Sequence, residues 1–443
     1  MKSKIVNGFS KLNKKGKLDK LSSLFNDTHT AINEFRSFWH EDEKKQQLFD
    51  EFSENTLSNF YLPFSVAPNF VINHKIYHVP MVIEESSVIA AASKAAKFWA
   101  DKGGFRANVI STSKVGQVHF SWQGDVRKLR AEMPALKKTF LRSTESITKN
   151  MRARGGGISD IELVDKTHEL ADYYQIMLKF ETVDSMGANF INSCLEEIAA
   201  QLKLYISEKT NWSESERKCT IIMSILSNYT PECIVETHVE TNIEHFANID
   251  PSLTAKEFSY KFEKAVDITK FDVYRATTHN KGIFNGIDAV VLATGNDFRA
   301  VEACGHAYAA KDGKYKGLTD VSVDNGKFRY SLKIPLAIGT VGGLTTLHPL
   351  AKRSLEMLGN PNAEELMLIA ASAGLANNFS AVKSLITMGI QVGHMKMHLW
   401  NILNQFDAND QEKQLAVEHY KNHKVSHNSV RQFLSSLRIR SAT

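Results

Sequence analysis

The strongest constraint on the fold is one stretch in which the spacing of apolar residues differs from that of its surroundings. Within it, residues 107–122 and 158–166 alternate apolar and polar side chains, as half-buried strands do. Residues 125–150 are helical in character, and residues 184–208 have apolar side chains at helical spacings of three and four. Residues 110–220 are therefore predicted to form a compact α+β domain inserted into the rest of the chain.

The flanking regions are predicted to form the two parts of a larger domain. Residues 1–109 begin with a polar, helix-prone arm and continue with short strands that lead into a helix starting near Ser86. Residues 221–387 return to strands and helices, and residues 388–443 form a basic tail rich in histidine. A chain of 443 residues is too long for one ordinary core, which agrees with this division.

Composition and charge exclude several classes of protein. Hydrophobic residues make up 43% of the chain and charged residues 23%, as in soluble globular proteins. No run approaches the length of about 18 apolar residues that a membrane helix needs, and the basic N-terminus lacks the apolar core of a signal peptide. The four cysteines contain no Cys-x-x-Cys pair, which argues against a disulfide framework and a zinc knuckle. We therefore expect a cytoplasmic protein with no membrane anchor.

A nucleic-acid-binding protein is the rival from another functional class. The net charge is only +5, and lysine and arginine are not clustered among aromatic residues outside the two ends of the chain. The composition therefore favours an enzyme, and no nucleic-acid partner is expected.

The segment VDSMGANFINSC is a candidate phosphate-binding site. Asp184 and Ser185 are residue types that cap helices, and Gly187 permits close approach of the backbone. The first turn of the helix that follows would present free N–H groups and the positive end of the helix dipole to an anion. An ordinary capped helix has the same sequence pattern. Since the chain contains neither a G-x-G-x-x-G motif nor a P-loop, a nucleotide here would need a different kind of domain.

Charged residues surround an apolar run that we predict to be a buried strand, Asp288 to Gly295. Lys281 precedes this run and Asp297 follows it, so the strand could bring the two charges together. A lysine beside a carboxylate stays charged and can stabilise an oxyanion. A structural ion pair at the end of a strand fits the spacing equally well.

Two other stretches carry groups capable of proton transfer. Glu84 and Glu85 lie at the strand-to-helix turn before Ser86, where a carboxylate either caps the helix or instead serves as a proton donor. His394 and His398 are spaced to share one helical face. A zinc site is not supported, because H-E-x-x-H is absent and no third ligand suggests itself, so no metal is expected. Two interpretations of these histidines stay open: one of them is an acid catalyst, or both are surface residues without a role.

Taken together, these motifs resemble the class II 3-hydroxy-3-methylglutaryl-CoA (HMG-CoA) reductases. The segments that carry the resemblance are, in order, ENTLSNFYLPFSVAPNF, VPMVIEESSVIAAAS, DSMGAN, TGNDFRAVEA, GTVGGLT and GHMKMH. The resemblance extends from about residue 50 to about residue 400. It implies an α+β fold with a large mixed α/β substrate domain, an inserted small ferredoxin-like cofactor domain at 110–220 and a C-terminal helical flap at 388–443. The implied reaction is the four-electron reduction of HMG-CoA to mevalonate and CoA with two nicotinamide cofactors.

The resemblance also implies four catalytic residues. Glu85 would supply a proton to the carbonyl oxygen, Lys281 would stabilise the oxyanion, and Asp297 would hold both in one hydrogen-bonded network. His394, carried over the site by the flap, would protonate the departing CoA thiolate. These roles agree with the chemistry, because each hydride addition places negative charge on an oxygen atom.

Five residues match positions that bind the substrate in the family. They are Ser87, Arg275, Asn285, Asn377 and His398. Arg275 suits the free carboxylate of the glutaryl group, which a guanidinium can bind with two hydrogen bonds. Asn377 stands where the family pattern has glutamine, and the shorter side chain places its substrate contact in doubt.

Eight residues match the cofactor-binding part of the pattern. They are Thr148, Lys149, Arg152, Asp184, Met186, Gly187, Asn189 and Asn192. Thr148 occupies the ribose-contacting position, with the cations Lys149 and Arg152 nearby. Because cations favour a 2′-phosphate, we predict NADPH over NADH as the cofactor.

The resemblance further implies a homodimer, or a higher oligomer built from it, with active sites at the subunit interface. The small residues of the helix after Glu85 are the support that the sequence itself offers for close packing. Two alternatives stay open within enzymes. One is the same enzyme running in the catabolic direction, oxidising mevalonate with NAD. The other is a reductase that acts on another acyl-CoA or aldehyde with the same scaffold, of which Asn377 would be a sign.

Overall fold

The computed structural model describes residues 5–387, 399–400, 402–420, 423 and 425–440, and its architecture is mixed α+β. The chain divides into two units, Met1–Pro63 and Phe64–Thr443. The first contains three short helices, α1 Lys14–Leu21, α2 Thr28–Ser37 and α3 Glu43–Glu51. The side chains of Asn13, Asp27 and Asp42 cap their N-termini by accepting backbone N–H groups.

The second unit begins with an antiparallel hairpin and a helix. Strands β1 Phe64–Ile72 and β2 Lys75–Val82 pair with each other, and α4 Ser86–Ala100 packs against β1. The two strands and the helix start predicted near Ser86 are confirmed. Their sequence signals, an alternation of apolar residues and a turn before a helix, depend only on residues close together in the chain.

A four-stranded antiparallel sheet forms the centre of this unit, with the order β3-β8-β10-β9. Its strands are β3 Arg106–Thr112, β8 Cys233–Asn242, β9 Thr319–Asp324 and β10 Lys327–Pro335. Helices packed in this region include α8 Ala255–Asp267, α9 Val273–Ala293, α10 Phe298–Ala309 and α13 Ala363–Ile386. Aromatic rings fill the core between them, with Trp99, Phe262, Phe328 and Phe379 all almost completely buried.

A second four-stranded antiparallel sheet lies in sequence between β3 and β8, with the order β5-β6-β4-β7. Its strands are β4 Lys114–Trp122, β5 Gly157–Asp165, β6 Tyr173–Glu181 and β7 Cys219–Leu226. Three helices accompany it, α5 Val126–Ser143, α6 Glu145–Arg152 and α7 Ala188–Ser207. Because α7 has apolar residues on one face, it covers this sheet and completes a core separate from the first.

The strand predicted at Asp288 to Gly295 is wrong, because most of these residues form the last turns of α9. The helix is largely buried from Ile283 onwards, so Ala289, Val290 and Val291 are inaccessible to solvent. A helix that is apolar all round cannot be distinguished from a buried strand by periodicity over so short a run. Lys281 therefore lies on a helix and not before a strand.

The remaining helices follow the glycine-rich segment. They are α11 Leu344–Leu347, α12 Pro349–Met357, α14 Asp410–His419 and α15 His427–Arg440. Leu403, Ala416, Val430 and Leu434 belong to a small apolar cluster of the C-terminal part. Within the described residues, no helix combines the length and apolarity needed to cross a bilayer.

Candidate functional site

Glu85 stands at the N-cap position of α4, directly after the second strand. Its backbone is extended, and its carboxylate accepts a hydrogen bond from the Ser87 hydroxyl two residues later. The carboxylate is not used to cap the backbone amides of the helix. Glu85 therefore presents a partly exposed carboxyl group, with Ser87 beside it, at the start of α4.

Lys281 lies opposite this carboxyl group on α9. Its Nζ atom is 3.9 Å from Oε2 of Glu85, and the side chains of Lys281 and Glu85 are 64% and 37% exposed. An ion pair so exposed contributes less than about 1 kcal/mol to stability. The fold therefore gains little by bringing Lys281 and Glu85 together, which favours a chemical role for the pair.

Asn285 and Arg275 lie on the same helix as Lys281. Asn285 follows Lys281 by four residues, so the two side chains share one face of α9. Arg275 lies in the first turn, where its backbone N–H donates to the capping carboxylate of Asp272 at 3.0 Å. The helix therefore carries a guanidinium in its first turn, and an ammonium and an amide together on one face further along.

Asp297 caps the next helix, α10. Its carboxylate accepts the backbone N–H groups of Arg299 and Ala300 and two hydrogen bonds from the Arg299 guanidinium, at 2.9 and 2.7 Å. These bonds, above all those from the guanidinium, lower the pKa of Asp297, so this carboxyl group is ionised at neutral pH.

The single network of Asp297, Lys281 and Glu85 is not present as expected. Among the described residues, the ion-pair partner of Lys281 is Glu85, and that of Asp297 is Arg299. The physical reason is local: Arg299 is two residues away and can bind both carboxylate oxygens without competition from a longer contact.

Asp288 is a titratable group near this site that the sequence interpretation did not recognise. It lies seven residues after Lys281, on the same side of α9 as Lys281 and Asn285. Burial and the adjacent acid Glu302 of α10 raise the pKa of Asp288 to about 8. The signal in the sequence was an aspartate inside an apolar run, which the assignment to a strand hid.

The Asp288→Asn variant is expected to remove a pH dependence of stability. Because the folded state raises the pKa of Asp288 from 3.8 to about 8, it binds the proton more tightly than the unfolded chain, and stability is lost as pH rises through that value. Thermal unfolding from about pH 6 to pH 9 should show a steeper fall of Tm for the wild type than for Asp288→Asn. Parallel curves would contradict this assignment.

Asn377 is buried in α13 and faces α9. It is 3% exposed, and its Nδ2 atom has no hydrogen-bond partner among the described residues. A side chain at Gly286 of α9 would come to 3.0 Å from this atom. The amide is therefore available inside the protein beside α9, but it does not reach the surface.

The DSMG segment forms a tight turn between β6 and α7. Val183 has a φ of 50°, which a β-branched residue rarely adopts, and its N–H donates to Glu181 at 2.8 Å. The Thr182 hydroxyl donates to the Ser185 carbonyl at 2.7 Å and accepts from the buried Lys114 ammonium at 2.7 Å. These contacts hold a strained turn, which is typical of functional sites.

Gly187 ends this turn and occupies the N-cap position of α7. Its φ is 90°, and a Cβ atom here would come to 2.5 Å from the methyl group of Thr182, so only glycine fits. No side chain caps the first turn of α7. The backbone N–H groups of this first turn are therefore suited to bind an anion. Beside them, Met186 is partly exposed and Asn189 is exposed.

Asp184 joins the turn to another part of the chain. Its carboxylate accepts the N–H of Ala363, the first residue of α13, at 2.9 Å, and its carbonyl accepts the N–H of Thr340 at 2.8 Å. Asn192 likewise accepts the N–H of Leu226 at 2.9 Å. The side chains of Asp184 and Asn192, predicted as cofactor contacts, are thus occupied by bonds within the protein.

The three predicted ribose-region residues lie on α6 with different exposure. Thr148 is buried, and its hydroxyl donates to the Thr144 carbonyl at 2.9 Å, so it does not face the surface. This placement contradicts a direct ribose contact, because Thr148 is on the inner face of the helix. Lys149 and Arg152 are exposed, with Arg152 3.3 Å from Glu145.

The two predicted histidines, His394 and His398, lie outside the described residues. Of residues 388–443, the described part contains helices α14 and α15 and the small apolar cluster already mentioned, and the flap stays a prediction.

Comparisons with known proteins agree with one family. The profile described as hydroxymethylglutaryl-coenzyme A reductase matches residues 18–399. The 3-hydroxy-3-methylglutaryl-coenzyme A reductase of Archaeoglobus fulgidus is 35% identical over 370 residues, which cover 83% of this chain and 80% of that protein. A probable enzyme of the same name from Borreliella burgdorferi is 30% identical over 387 residues, covering 86% of this chain and 84% of that protein.

Solved structures with a similar fold come from Streptococcus pneumoniae. Its class II 3-hydroxy-3-methylglutaryl-CoA reductase bound to NADPH in open conformations has a TM-score of 0.70 and 33% identity, covering 86% of this chain and 99% of that one. A second structure of the enzyme has a TM-score of 0.71 and 31% identity, covering 97% and 99%.

Proposed function

Because this chain belongs to the hydroxymethylglutaryl-coenzyme A reductase family, we propose that it reduces (S)-HMG-CoA to (R)-mevalonate and CoA. It is an NAD(P)H-dependent oxidoreductase by membership of this family, one of whose structures holds NADPH. The complete reaction consumes two reduced cofactors and two protons for each thioester, and it breaks one C–S bond.

The observation that carries the proposal is the contact between Lys281 and Glu85. Two molecules of NAD(P)H, bound one after the other, would each supply one hydride, the first to the thioester carbonyl and the second to the aldehyde. The Lys281 ammonium would stabilise the oxygen that becomes negative in each step, and Glu85 would deliver the proton that this oxygen takes up. Their exposure leaves both groups accessible to a substrate, in agreement with this assignment.

Asp297 and His394 complete the proposed catalytic set. Asp297 is ionised and held by Arg299, so its approach to Lys281 requires Arg299 to release one or both oxygens. His394 would protonate the CoA thiolate after the C–S bond breaks, which prevents the thiolate from attacking the aldehyde again. Both roles rest on the motif resemblance.

Substrate binding is assigned to residues around this pair. Arg275 would bind the free carboxylate of the glutaryl group, with Asn285 and Ser87 bonding to its oxygens. Asn377 has an amide N–H beside α9 with no partner in the described part of the chain. Because this side chain is buried, it would influence the substrate from inside the protein and not from the surface. His398 is retained as the fifth member by motif.

The cofactor is assigned to the inserted domain, whose sheet β5-β6-β4-β7 and helices we interpret as the ferredoxin-like unit. The uncapped first turn of α7 after Gly187 would bind the pyrophosphate, with Met186 and Asn189 beside it. The exposed cations Lys149 and Arg152 would favour the 2′-phosphate of NADPH. Asp184 would contribute by holding the turn in place and not by a direct contact.

The homodimer is part of the proposal. Phe271 and Tyr274 are large exposed apolar side chains immediately before Arg275. Such side chains beside a substrate site indicate a surface that another subunit covers. We therefore propose that the site is completed at a subunit interface.

The wild-type protein is expected to oxidise two NADPH per HMG-CoA, and to use NADPH with a higher kcat/KM than NADH. Absorbance at 340 nm with limiting thioester measures the stoichiometry, and the same assay with NADH measures the preference. Oxidation that does not depend on HMG-CoA would contradict the function. Equal kcat/KM with the two cofactors would contradict only the assignment of Lys149 and Arg152.

A further inference from the structure

The asparagine of the TGND motif makes a two-point contact that the proposed reaction leaves unexplained. The side chain of Asn296 donates to the Gly339 carbonyl at 3.0 Å and accepts the Gly339 N–H at 2.8 Å. An amide that pairs with both the N–H and the C=O of one residue fixes the position and the direction of that residue's backbone together. Asn296 directly precedes Asp297 and therefore ties the start of α10 to the glycine-rich segment.

Gly339 in turn lies against the DSMG turn with no side chain between the two backbones. A Cβ atom at Gly339 would come to 2.5 Å from the Met186 nitrogen and 2.8 Å from the Asp184 carbonyl oxygen. The next residue, Thr340, donates its N–H to that same carbonyl at 2.8 Å. The Asn296 side chain and the backbone of Gly339 and Thr340 thus connect the TGND turn to the DSMG turn.

We propose that Asn296 is a positioning residue that sets the distance between the Asp297 carboxylate and the nicotinamide cofactor by way of Gly339. This inference rests on the proposed function, since it takes Asp297 and the DSMG turn as parts of one reaction site. Asn296 touches neither substrate nor cofactor in this proposal and acts through the two turns that it joins.

The contact between Asn296 and Gly339 is suited to this role because it allows the two turns little relative movement. The two hydrogen bonds hold the Asn296 side chain at both its donor and its acceptor, and the direct contact between backbones at Gly339 leaves no second side chain to absorb a displacement. A misplacement of reacting groups by about 1 Å can lower a rate by about a hundredfold. Loss of both bonds at Asn296 is therefore expected to affect turnover more than it affects binding of the acyl substrate.

The first test compares Asn296→Ala with Asn73→Ala. Asn73 makes the same kind of two-point contact: its side chain donates to the Ala107 carbonyl at 2.7 Å and accepts the Ala107 N–H at 3.0 Å. Ala107 lies on β3, away from the TGND and DSMG turns. Asn296→Ala is expected to lower kcat by about 10- to 100-fold and to weaken NADPH binding measured by calorimetry, with the KM for HMG-CoA nearly unchanged. Asn73→Ala should lower Tm but leave kcat and NADPH binding intact.

A second variant provides a readout that a purely structural role would not change. Asn296→Asp retains the acceptor for Gly339 N–H, and when protonated it can also donate to the Gly339 carbonyl. Its activity relative to wild type should therefore recover as pH falls, whereas the ionised form repels that carbonyl. The charged groups of the adjoining segments are Asp297, Arg299 and Asp184.

The inference and the proposed function can fail separately. Wild-type kcat and NADPH affinity in Asn296→Ala, or losses that only follow its Tm as in Asn73→Ala, would overturn the positioning role. A wild-type protein that binds NADPH but does not reduce HMG-CoA would overturn the function, and calorimetry would still test the link from Asn296 to the DSMG turn.

Discussion

Replacing Lys281 with alanine is expected to abolish HMG-CoA-dependent NADPH oxidation, with a loss of kcat of about a hundredfold or more. The ammonium group would be the fixed positive charge at the oxygen that accepts negative charge in both hydride additions. Its distance of 3.9 Å from Glu85 also places it where the proton must be delivered. The measurement is kcat and KM from absorbance at 340 nm, together with Tm.

The control for this prediction is Lys264→Ala. Lys264 is also exposed and forms an ion pair, with Asp267 at 3.1 Å, but it lies on α8 and outside the proposed site. Both substitutions should leave Tm nearly unchanged, because exposed ion pairs contribute little to stability. A Lys281→Ala protein with wild-type kcat would remove Lys281 from the mechanism, and an equal loss in Lys264→Ala would indicate a nonspecific effect.

Gly286→Ala is expected to destabilise the fold by about 2 to 4 kcal/mol, the largest effect that we predict on stability. Gly286 lies where α9 crosses α13, and a methyl group would collide with the carbonyl group of Ala373 and approach Asn377. Backbone atoms cannot move aside, so the two helices must separate. The gain of about 1 kcal/mol in helix propensity offsets only part of this cost.

Gly282→Ala provides a matched comparison one turn earlier in the same helix. Here the methyl group would come to 3.3 Å from the Asn378 amide nitrogen, a contact that a shift of a few tenths of an ångström relieves. We expect its free energy of unfolding to be equal to or slightly higher than that of wild type, because the propensity gain is retained. Chemical denaturation of both variants decides the question, and equal stability of the two would refute the close crossing at Gly286.

Local patterns in the sequence predicted the parts of the fold that local physics controls. The alternation in 107–122 and 158–166 predicted strands, and the segments near Ser86 and after Gly187 predicted helix starts, all of which the structure has. These signals depend on neighbours within a few residues. The family was predicted from the order of short motifs. Each motif can be recognised from its own few residues, without knowledge of how the chain folds around it.

Burial and long-range contacts account for the predictions that were wrong. The run from Asp288 to Gly295 was predicted as a strand because a helix surrounded by protein loses its polar face, and only the packing of α9 reveals this. Thr148 matched a cofactor position by motif, yet its place on the inner face of α6 turns its hydroxyl to the Thr144 carbonyl. The exposure of a residue depends on how its helix packs and cannot be read from the sequence of the helix alone.

The sequence by itself determined the family, most of the strands and helices outside α9, and the set of residues that we propose for the chemistry. Tertiary structure alone decided which of them meet: Lys281 reaches Glu85, Asp297 binds Arg299, and the Asp184 carboxylate binds the N-terminus of α13. The physical reason is that pairing depends on distances between segments far apart in the chain. Those distances are set by how α9, α10 and α13 pack, which no short stretch of sequence encodes.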